Sequence, residues 1–175
     1  YGLDVFHQQK CHVSLEGLKI GRVGLQFFAA FVTPRKKHPC LQRGLELIKA
    51  YQILMDNCSE SFMPVLNFSD INTARSQGKI GALLTVEGGD VLEGNLHNLR
   101  ILYDLGVRAM TLTWNYANEI ADGVLENDSD RKLSTFGLKV IREMNRLGML
   151  IDVSHLSEKG FYSVLETSEK PIAAT

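Results

Sequence analysis

Residues 80–113 read IGALLTVEGGDVLEGNLHNLRILYDLGVRAMTLT, and this stretch decides the fold. An apolar run, 80–86, is followed by a segment, 92–105, whose apolar residues recur at helical spacing. Gly106 stops that segment, and a second apolar run, 107–113, follows at once. The pattern predicts a strand, a helix and a second strand. Two strands joined by a helix in this way form a parallel pair with a right-handed crossover.

The same unit is repeated towards the N-terminus. Residues 23–32, VGLQFFAAFV, are almost continuously apolar, which predicts a strand that is buried on both faces and ended by Pro34. A helix is predicted over residues 41–55, where the apolar residues again have roughly helical spacing. Ser69 and Asp70 are predicted to cap a short helix just after them.

The unit also recurs towards the C-terminus, with helix caps at both ends of the segments. The predicted elements are a helix from Ser134 to Leu147 stopped by Gly148, a strand over 149–154, a helix from Ser157 to about Thr167 and a strand from Pro171. Four or five strand-and-helix units can therefore be counted, which indicates an α/β protein with a parallel sheet.

Two architectures are built from such units, the eight-unit β/α barrel and the open doubly wound sheet. No GxGxxG motif follows any of the predicted strands. The polar and potentially reactive residues fall instead at the C-terminal ends of strands: Glu87, Trp114, Asn115 and His155. Barrel enzymes collect their chemistry at these ends. The sequence therefore predicts an α/β fold of the TIM-type β/α barrel.

The number of units is small for a whole barrel. An eight-unit barrel typically takes about 250 residues, whereas this chain has 175 residues. We therefore expect residues 1–175 to form a single domain, the central part of a β/α barrel that lacks its first and last units. On this interpretation the native protein is longer at both ends, and the 175-residue chain is inactive by itself.

The composition argues against several classes of partner. A net charge of -1, with 19 Lys and Arg dispersed along the chain, provides no basic surface for nucleic acid. No apolar run approaches the roughly 20 residues needed to cross a bilayer. The three cysteines are odd in number and widely separated, so neither a disulfide framework nor a CxxC metal site is indicated. These features favour a reducing compartment and predict a cytoplasmic location.

Glu87 is the strongest candidate for chemistry, because it ends a buried strand and is followed by Gly88 and Gly89, which let the backbone turn and approach a ligand. A strand-end Glu paired with Lys or Arg is an equal alternative, since a buried carboxylate needs a cation in any case. His155 ends a later strand, where a lone His is more often structural. In a barrel both strand ends face one mouth, and a Glu and a His that meet there can form a zinc site.

Several longer segments resemble the membrane dipeptidase (renal dipeptidase) family of metal-dependent peptidases, in order and in spacing. TVEGG at 85–89 and NRLGMLIDVSH at 145–155 are two of them. The others are LRILYDLGVR at 99–108, TLT at 111–113, IADG at 120–123, LSTFG at 133–137 and, earlier, GLK at 17–19 with VGLQFF at 23–28. The resemblance covers nearly the whole chain.

The resemblance implies a TIM-type β/α barrel of the metal-dependent hydrolase kind, which holds two zinc ions bridged by a glutamate. Glu87 matches the bridging glutamate, and His155 matches a ligand of one ion. The other family ligands are an HxD pair, expected before Tyr1, and a His on the strand after Pro171, expected at or beyond Thr175. The implied reaction is hydrolysis of dipeptides by a metal-bridging hydroxide. A homodimer is also implied, because family members are often dimers.

The remaining histidines lie in no HxD or strand-end context, and we interpret them as surface or structural residues: His7, His12, His38 and His97.

One site position departs from the animal members, which place a substrate-contacting His where this chain has Trp114, followed by Asn115. A Trp can form a pocket wall but is a poor proton carrier. Trp114 and Asn115 are therefore the substrate-binding candidates, with altered handling of the tetrahedral intermediate, and no side chain is assigned as catalytic.

Three functions follow as alternatives. The first is a di-zinc dipeptidase. The second is a catalytically inactive, metal-free barrel relative that acts as a binding or interaction protein, favoured by the missing ligands and by Trp114. The third is another metal-dependent barrel hydrolase that acts on cyclic amides. Metal content separates the first two, and a panel of substrates separates the third from the first.

Overall fold

The computed structural model describes residues 12–32, 39–126 and 131–175. Within these residues six strands form one sheet: β1 Leu25–Phe31, β2 Phe62–Pro64, β3 Ile80–Glu87, β4 Ala109–Thr111, β5 Leu150–Asp152 and β6 Ile172–Ala173. The helices are α1 Leu15–Ile20, α2 Cys40–Asn57, α3 Phe68–Ser76, α4 Leu96–Asp104, α5 Thr135–Leu147 and α6 Glu158–Thr167, with a 3₁₀ turn over Gly89–Leu92. Four residues interpreted from the sequence lie outside the described residues: His7, Cys11, Pro34 and His38.

All strand pairs of the sheet are parallel, in the order β1-β3-β4-β5-β6. β1 pairs with residues 81–87 of β3, so it covers one whole edge of that strand. β2 pairs with residues 80–82 and β4 with residues 85–87, so these two strands share the opposite edge. The predicted parallel α/β sheet is therefore confirmed, and all five predicted strands are present. β2 is an additional strand that the sequence did not indicate.

The helix ends follow local capping chemistry. Ser134 Oγ accepts a hydrogen bond from Gly137 N at the start of α5, and Ser157 Oγ accepts one from Gly160 N at the start of α6. Such side-chain acceptors satisfy backbone N–H groups that have no partner within the helix. α5 ends at Gly148, in the left-handed conformation. These two predicted helices are confirmed with their caps.

The predicted cap of α3 is wrong by two residues. Asn67 caps this helix, because its Oδ1 accepts a hydrogen bond from Asp70 N at 3.2 Å. Asp70 Oδ2 in turn accepts one from Asn67 N at 3.0 Å, which completes a capping box. Ser69 and Asp70 are thus inside the first turn of the helix, and Asp70 accepts the second hydrogen bond of the capping box.

The predicted helix over 92–105 is interrupted near its start. Glu93 and Gly94 have φ angles of 49° and 67°, in the left-handed region that a right-handed helix excludes. The chain therefore makes a 3₁₀ turn up to Leu92 and begins α4 only at Leu96, after Asn95 has capped it. The turn lies directly after β3 and so shapes the rim of the sheet.

The core lies between the sheet and the helices that cross over it. Fully buried side chains come from β3, β4, α4 and α5: Leu84, Val86, Leu99, Leu102, Met110, Ile141 and Met144. β1 departs from its predicted burial on both faces, because only Ala30 within it is buried. The reason is its position, since β1 is the outermost strand in the described part of the sheet. No helix within the described residues is long and apolar enough to cross a membrane.

Glu143 on α5 joins two helices through ion pairs. Its carboxylate accepts hydrogen bonds from Arg100 Nε of α4 at 2.7 Å and from Arg146 Nε and Nη2 at 2.9 and 2.8 Å. The side chain of Glu143 is only 8% exposed. The hydrogen bonds from Arg146 and Arg100 lower the pKa of Glu143 to about 2. The carboxylate therefore stays charged in the folded protein well below the pH at which an ordinary Glu is protonated.

We expect Glu143→Gln to reduce stability in a way that depends on pH. The pKa of Glu143 is lower in the folded protein than the ordinary value of 4.5, so its contribution to stability is present above pH 4.5 and is lost as the pH falls towards about 2. Urea unfolding at pH 7, pH 4 and pH 2.5 measures this. The stability gap between wild type and variant should be largest at pH 7 and should shrink on acidification. An equal gap at all three pH values would contradict the assignment.

Candidate active site

One row of side chains crosses the carboxyl ends of four strands. Phe31 of β1 pairs in register with Glu87 of β3, Glu87 with Thr111 of β4, and Thr111 with Asp152 of β5. Residues in register on parallel strands point to the same face of a sheet. The hydrogen bond from Thr111 Oγ1 to Asp152 Oδ2, at 2.8 Å, shows that these two side chains do so. The row therefore places an aromatic ring and two carboxylates on one face at the carboxyl end of the sheet, with Glu87 at its mouth and Asp152 buried behind it.

Glu87 and His155 meet at this mouth. Glu87 Oε1 lies 3.6 Å from His155 Nε2, and the two side chains are 29% and 36% exposed. Both groups are therefore reachable by a ligand from solvent, while their backbones belong to the ends of β3 and to the turn after β5. The sequence prediction that these two strand ends come together is confirmed in the structure.

The two substrate-binding candidates lie beside His155. Asn115 Oδ1 is 3.2 Å from His155 Nδ1. The ring centroid of Trp114 is 6.3 Å from that of His155, and on its other side it is 5.1 Å from that of Phe31, in an edge-to-face arrangement. Edge-to-face aromatic pairs are favourable contacts that hold both rings in place. Phe31 and Trp114 thus form an aromatic wall beside the Glu87 and His155 pair.

His155 is held in an unusual backbone conformation. Its φ angle of 64° lies in the left-handed region, which residues with a side chain rarely adopt. The carbonyl oxygen of His155 accepts hydrogen bonds from Val124 N at 2.8 Å and from Thr113 Oγ1 at 3.3 Å. The next residue, Leu156, forms an antiparallel bridge with Gly123. These contacts fasten His155 to the segment 114–126, which we call the rim loop.

Gly123 packs so closely in the rim loop that no side chain fits. A Cβ at this position would overlap the carbonyl oxygen of Trp114 and the backbone carbon of Asn115. The backbone at Gly123 can approach the backbone of Trp114 and Asn115 this closely only because Gly123 lacks a side chain. The sequence segment IADG contains this glycine. The requirement for glycine arises from a contact between chain segments, which the sequence alone does not show.

We expect Gly123→Ala to lower the free energy of unfolding by about 2 kcal/mol, because the rim loop must move apart to admit the methyl group. Urea denaturation measures the loss, and the NMR signals of the His155 ring report the displacement. Gly24→Ala is the matched control, since a Cβ at Gly24 meets no atom within 4 Å. Equal effects of the two substitutions would contradict the close packing of Gly123.

The turn after Glu87 is also set by close packing. Gly88 has a φ angle of 108°, and a Cβ there would overlap the carbonyl oxygen of Val32 at the end of β1. Glu87 O accepts a hydrogen bond from Val32 N at 3.0 Å, and Gly88 N donates to Thr111 O at 3.2 Å. The glycines predicted to approach a ligand therefore approach the neighbouring strand ends in this structure. The two glycines thereby fix the direction of the backbone directly after Glu87.

Asp152 is a buried carboxylate behind the mouth, 4% exposed. Its Oδ2 accepts hydrogen bonds from Thr111 Oγ1 and Thr175 Oγ1, both at 2.8 Å, and its Oδ1 accepts one from Ser154 N at 2.9 Å. Burial raises the pKa of Asp152, but the hydrogen bonds from Ser154, Thr111 and Thr175 outweigh burial, and the pKa lies below its ordinary value. The charged side chain of Asp152 therefore links β4, β5 and the end of β6 through hydrogen bonds.

Three residues of the site were not predicted from the sequence: Phe31, Asp152 and Gly123. A charged residue inside the apolar run MLIDVS was a usable signal for Asp152, because a buried carboxylate must have donors around it. Phe31 gave no such signal, since its place beside Glu87 depends on the register between β1 and β3. Of the histidines interpreted as surface or structural residues, His12 and His97 are exposed in the structure.

The pair of Glu87 and His155 fits part of a zinc site. Carboxylate oxygen and imidazole nitrogen are both zinc ligands, and two such atoms bound about 2.0 to 2.2 Å from a tetrahedral ion lie about 3.3 to 3.6 Å apart. The observed separation is 3.6 Å. The pair is not a complete site, because residues 12–32, 39–126 and 131–175 contain no group of three or more His, Cys, Asp or Glu side chains that could hold a metal ion. Further ligands are needed.

The chain is similar to known dipeptidases over most of its length. The family model for membrane dipeptidases, peptidase family M19, matches residues 2–175. An uncharacterized dipeptidase of Schizosaccharomyces pombe is 33% identical, with 92% of this chain and 42% of the relative covered.

Solved structures with the same fold include an amidohydrolase from Pseudomonas aeruginosa, with a TM-score of 0.82, 28% identity and coverage of 90% of this chain and 46% of that one. A metallopeptidase from Rhodobacter sphaeroides, solved with a phosphinate mimic of the dipeptide L-Ala-D-Ala, gives a TM-score of 0.84, 21% identity and coverage of 96% and 56%. This chain thus spans about half the length of these relatives. The predicted TIM-type β/α fold is confirmed, and the chain belongs to the membrane dipeptidase family of metallopeptidases, peptidase family M19.

Proposed function

We propose that the complete protein is a di-zinc dipeptidase, which hydrolyses the peptide bond of dipeptides. The observation that carries this proposal is the 3.6 Å separation of Glu87 Oε1 and His155 Nε2 at the mouth of a sheet of this family. The two groups have the donor chemistry and the spacing of two ligands of one zinc ion. The ligands still required are an HxD pair and a second His, by the resemblance of the sequence to the family, and we propose that barrel units outside this chain supply them.

The site residues of this chain would have different roles. Glu87, with its negative charge, would bridge the two ions and offset part of their positive charge. His155 would coordinate one of them through Nε2. When bound, two zinc ions supply Lewis-acid polarisation of a carbonyl and a water of lowered pKa. Phe31 and Trp114 would form an apolar wall beside this pair. Asp152 takes no part in the chemistry and maintains the strand ends on which Glu87 and His155 depend.

The substrate class is proposed on two grounds. The relative from S. pombe is called a dipeptidase, and the structure from R. sphaeroides holds a mimic of a dipeptide. The aromatic wall of Phe31 and Trp114, with ring centroids 5.1 Å apart, offers an apolar surface to a small substrate side chain. We also propose a homodimer, on the basis of the family resemblance, and light scattering on the complete protein tests it.

The test is hydrolysis of L-Ala-L-Ala and of the tripeptide L-Ala-L-Ala-L-Ala by the complete protein, with and without a chelator. We expect cleavage of the dipeptide, little cleavage of the tripeptide, loss of activity with the chelator and recovery on addition of zinc. Cleavage that a chelator does not affect would contradict the metal-dependent mechanism. Preferred cleavage of a cyclic amide over the dipeptide would contradict the substrate class.

Trp114 favours one second candidate, a metal-free binding protein. A Trp beside His155 provides a stacking surface and no proton carrier, and that arrangement suits the capture of an apolar or aromatic ligand. On this alternative the complete protein holds no metal and cleaves neither peptide. The fluorescence of Trp114, the one Trp of the 175-residue chain, would then change when a dipeptide binds.

A further inference from the structure

The imidazole of His155 is shared between two neighbours. Its Nδ1 is 3.2 Å from Asn115 Oδ1, and its Nε2 is 3.6 Å from Glu87 Oε1. A neutral imidazole carries one proton on its two nitrogens, so the partner of one nitrogen decides the state of the other. The contact with Asn115 therefore determines which nitrogen of His155 remains free for a ligand.

The amide oxygen of Asn115 can accept a hydrogen bond but cannot donate one. With Oδ1 facing the ring, the contact with Asn115 favours the tautomer that carries the proton of His155 on Nδ1, and the lone pair of Nε2 then points to the side of Glu87. If Asn115 instead turned its amide nitrogen to the ring, the proton would move to Nε2 and block that nitrogen. The orientation found in the structure is the one that leaves Nε2 open for a metal ion.

The backbones of Asn115 and His155 are held in place by the same loop. Asn115 O accepts a hydrogen bond from Leu125 N at 2.8 Å, across the rim loop. Gly123 packs directly against the backbone of Asn115, with no room for a side chain. The same loop reaches His155 through Val124 N, which donates to His155 O at 2.8 Å. One short loop thus fixes both partners of the hydrogen bond.

We propose that Asn115 is a positioning residue for His155 and does not contact the substrate. It holds Nδ1–H of His155 and so presents Nε2 beside Glu87. This role replaces the substrate contact expected from the sequence, and it rests on the proposed function in so far as zinc is the ligand of Nε2. Outer hydrogen-bond partners of zinc-binding histidines commonly fix the tautomer in this way, and their loss costs about 10- to 100-fold in metal affinity.

The test compares Asn115→Ala and Asn115→Asp with the wild type in the complete protein. Zinc affinity is measured by competition with a chelator, and KM for L-Ala-L-Ala is measured at saturating zinc. Asn115→Ala should lower zinc affinity about 10- to 100-fold and leave KM unchanged. Asn115→Asp keeps an acceptor at the same place and should restore the affinity. A rise in KM of Asn115→Ala with zinc affinity unchanged would overturn the proposal in favour of a substrate contact.

A second readout separates this proposal from the proposed function. Long-range ¹H–¹⁵N NMR of the metal-free protein reports whether the proton of His155 resides on Nδ1 or on Nε2. We expect Nδ1–H in the wild type and in Asn115→Asp, and a mixture of both tautomers in Asn115→Ala. This result would support the role of Asn115 even if no dipeptide were cleaved. A wild-type protein with the proton on Nε2 would overturn the role of Asn115 even if the protein proved to be an active dipeptidase.

Discussion

Glu87→Gln in the complete protein is expected to reduce kcat/KM for a dipeptide at least about 1000-fold, which corresponds to about 4 kcal/mol of transition-state stabilisation. The substitution keeps the size and shape of the side chain and removes its negative charge. A neutral amide is a poor ligand for zinc and cannot offset the charge of two ions that share it. We therefore expect the zinc content of the variant to fall together with its activity. The fold should persist, since Glu87 is partly exposed.

Glu166→Gln is the matched control for this experiment. Glu166 lies on α6, its side chain is 65% exposed, and its partner Lys132 is 64% exposed at a distance of 3.2 Å. Exposed ion pairs of this kind contribute little to stability. The control should therefore retain full activity and full zinc content. Glu87→Gln with wild-type kinetics, or the same loss in both variants, would contradict the role given to Glu87.

Asp152→Ala is expected to have the largest effect on stability, a loss of about 3 kcal/mol in the free energy of unfolding. The substitution removes an acceptor shared by Thr111, Ser154 and Thr175, and it leaves a cavity between β4 and β5. A buried donor without an acceptor costs about 1 to 3 kcal/mol. Urea unfolding of wild type and variant measures the loss.

Asp152→Asn distinguishes the hydrogen bonds of Asp152 from its volume. The Asn side chain fills the same space and can still accept the hydrogen bond from Ser154 N, while the hydroxyls of Thr111 and Thr175 can rotate to accept from its amide. We therefore expect Asn to cost about 1 kcal/mol, clearly less than Ala. Loss of less than about 1 kcal/mol for Asp152→Ala would show that Asp152 does not stabilise the strand ends.

The succession of strands and helices was predictable because its signals are local. Apolar runs mark the strands, and Ser134 and Ser157 mark helix starts through a hydrogen bond that spans only three residues. β2 was missed because a three-residue strand is too short to show a period, and its pairing with residues 80–82 of β3 depends on the tertiary fold. The break before α4 was missed because Glu93 favours helices by propensity, and only the fold imposes its left-handed conformation.

The candidate site was predictable in part. Glu87 and His155 could be selected because both end a predicted strand, and parallel strand ends lie on one side of the sheet. The contact of Asn115 with His155 could not be predicted, because it joins residues 40 apart through the rim loop. The place of Asp152 in the row with Glu87 requires the register of three strands. Register is a property of the assembled sheet and cannot be predicted from any single segment of the sequence.

Zinc content of the complete protein, measured by elemental analysis for wild type and for His155→Ala, tests the central claim most directly. The proposed site requires about two zinc ions per chain in the wild type and clearly less in His155→Ala, because Nε2 of His155 is one of the ligands. An unchanged zinc content in His155→Ala, or a wild-type protein that cleaves dipeptides while it holds no metal, would contradict a zinc site built on Glu87 and His155.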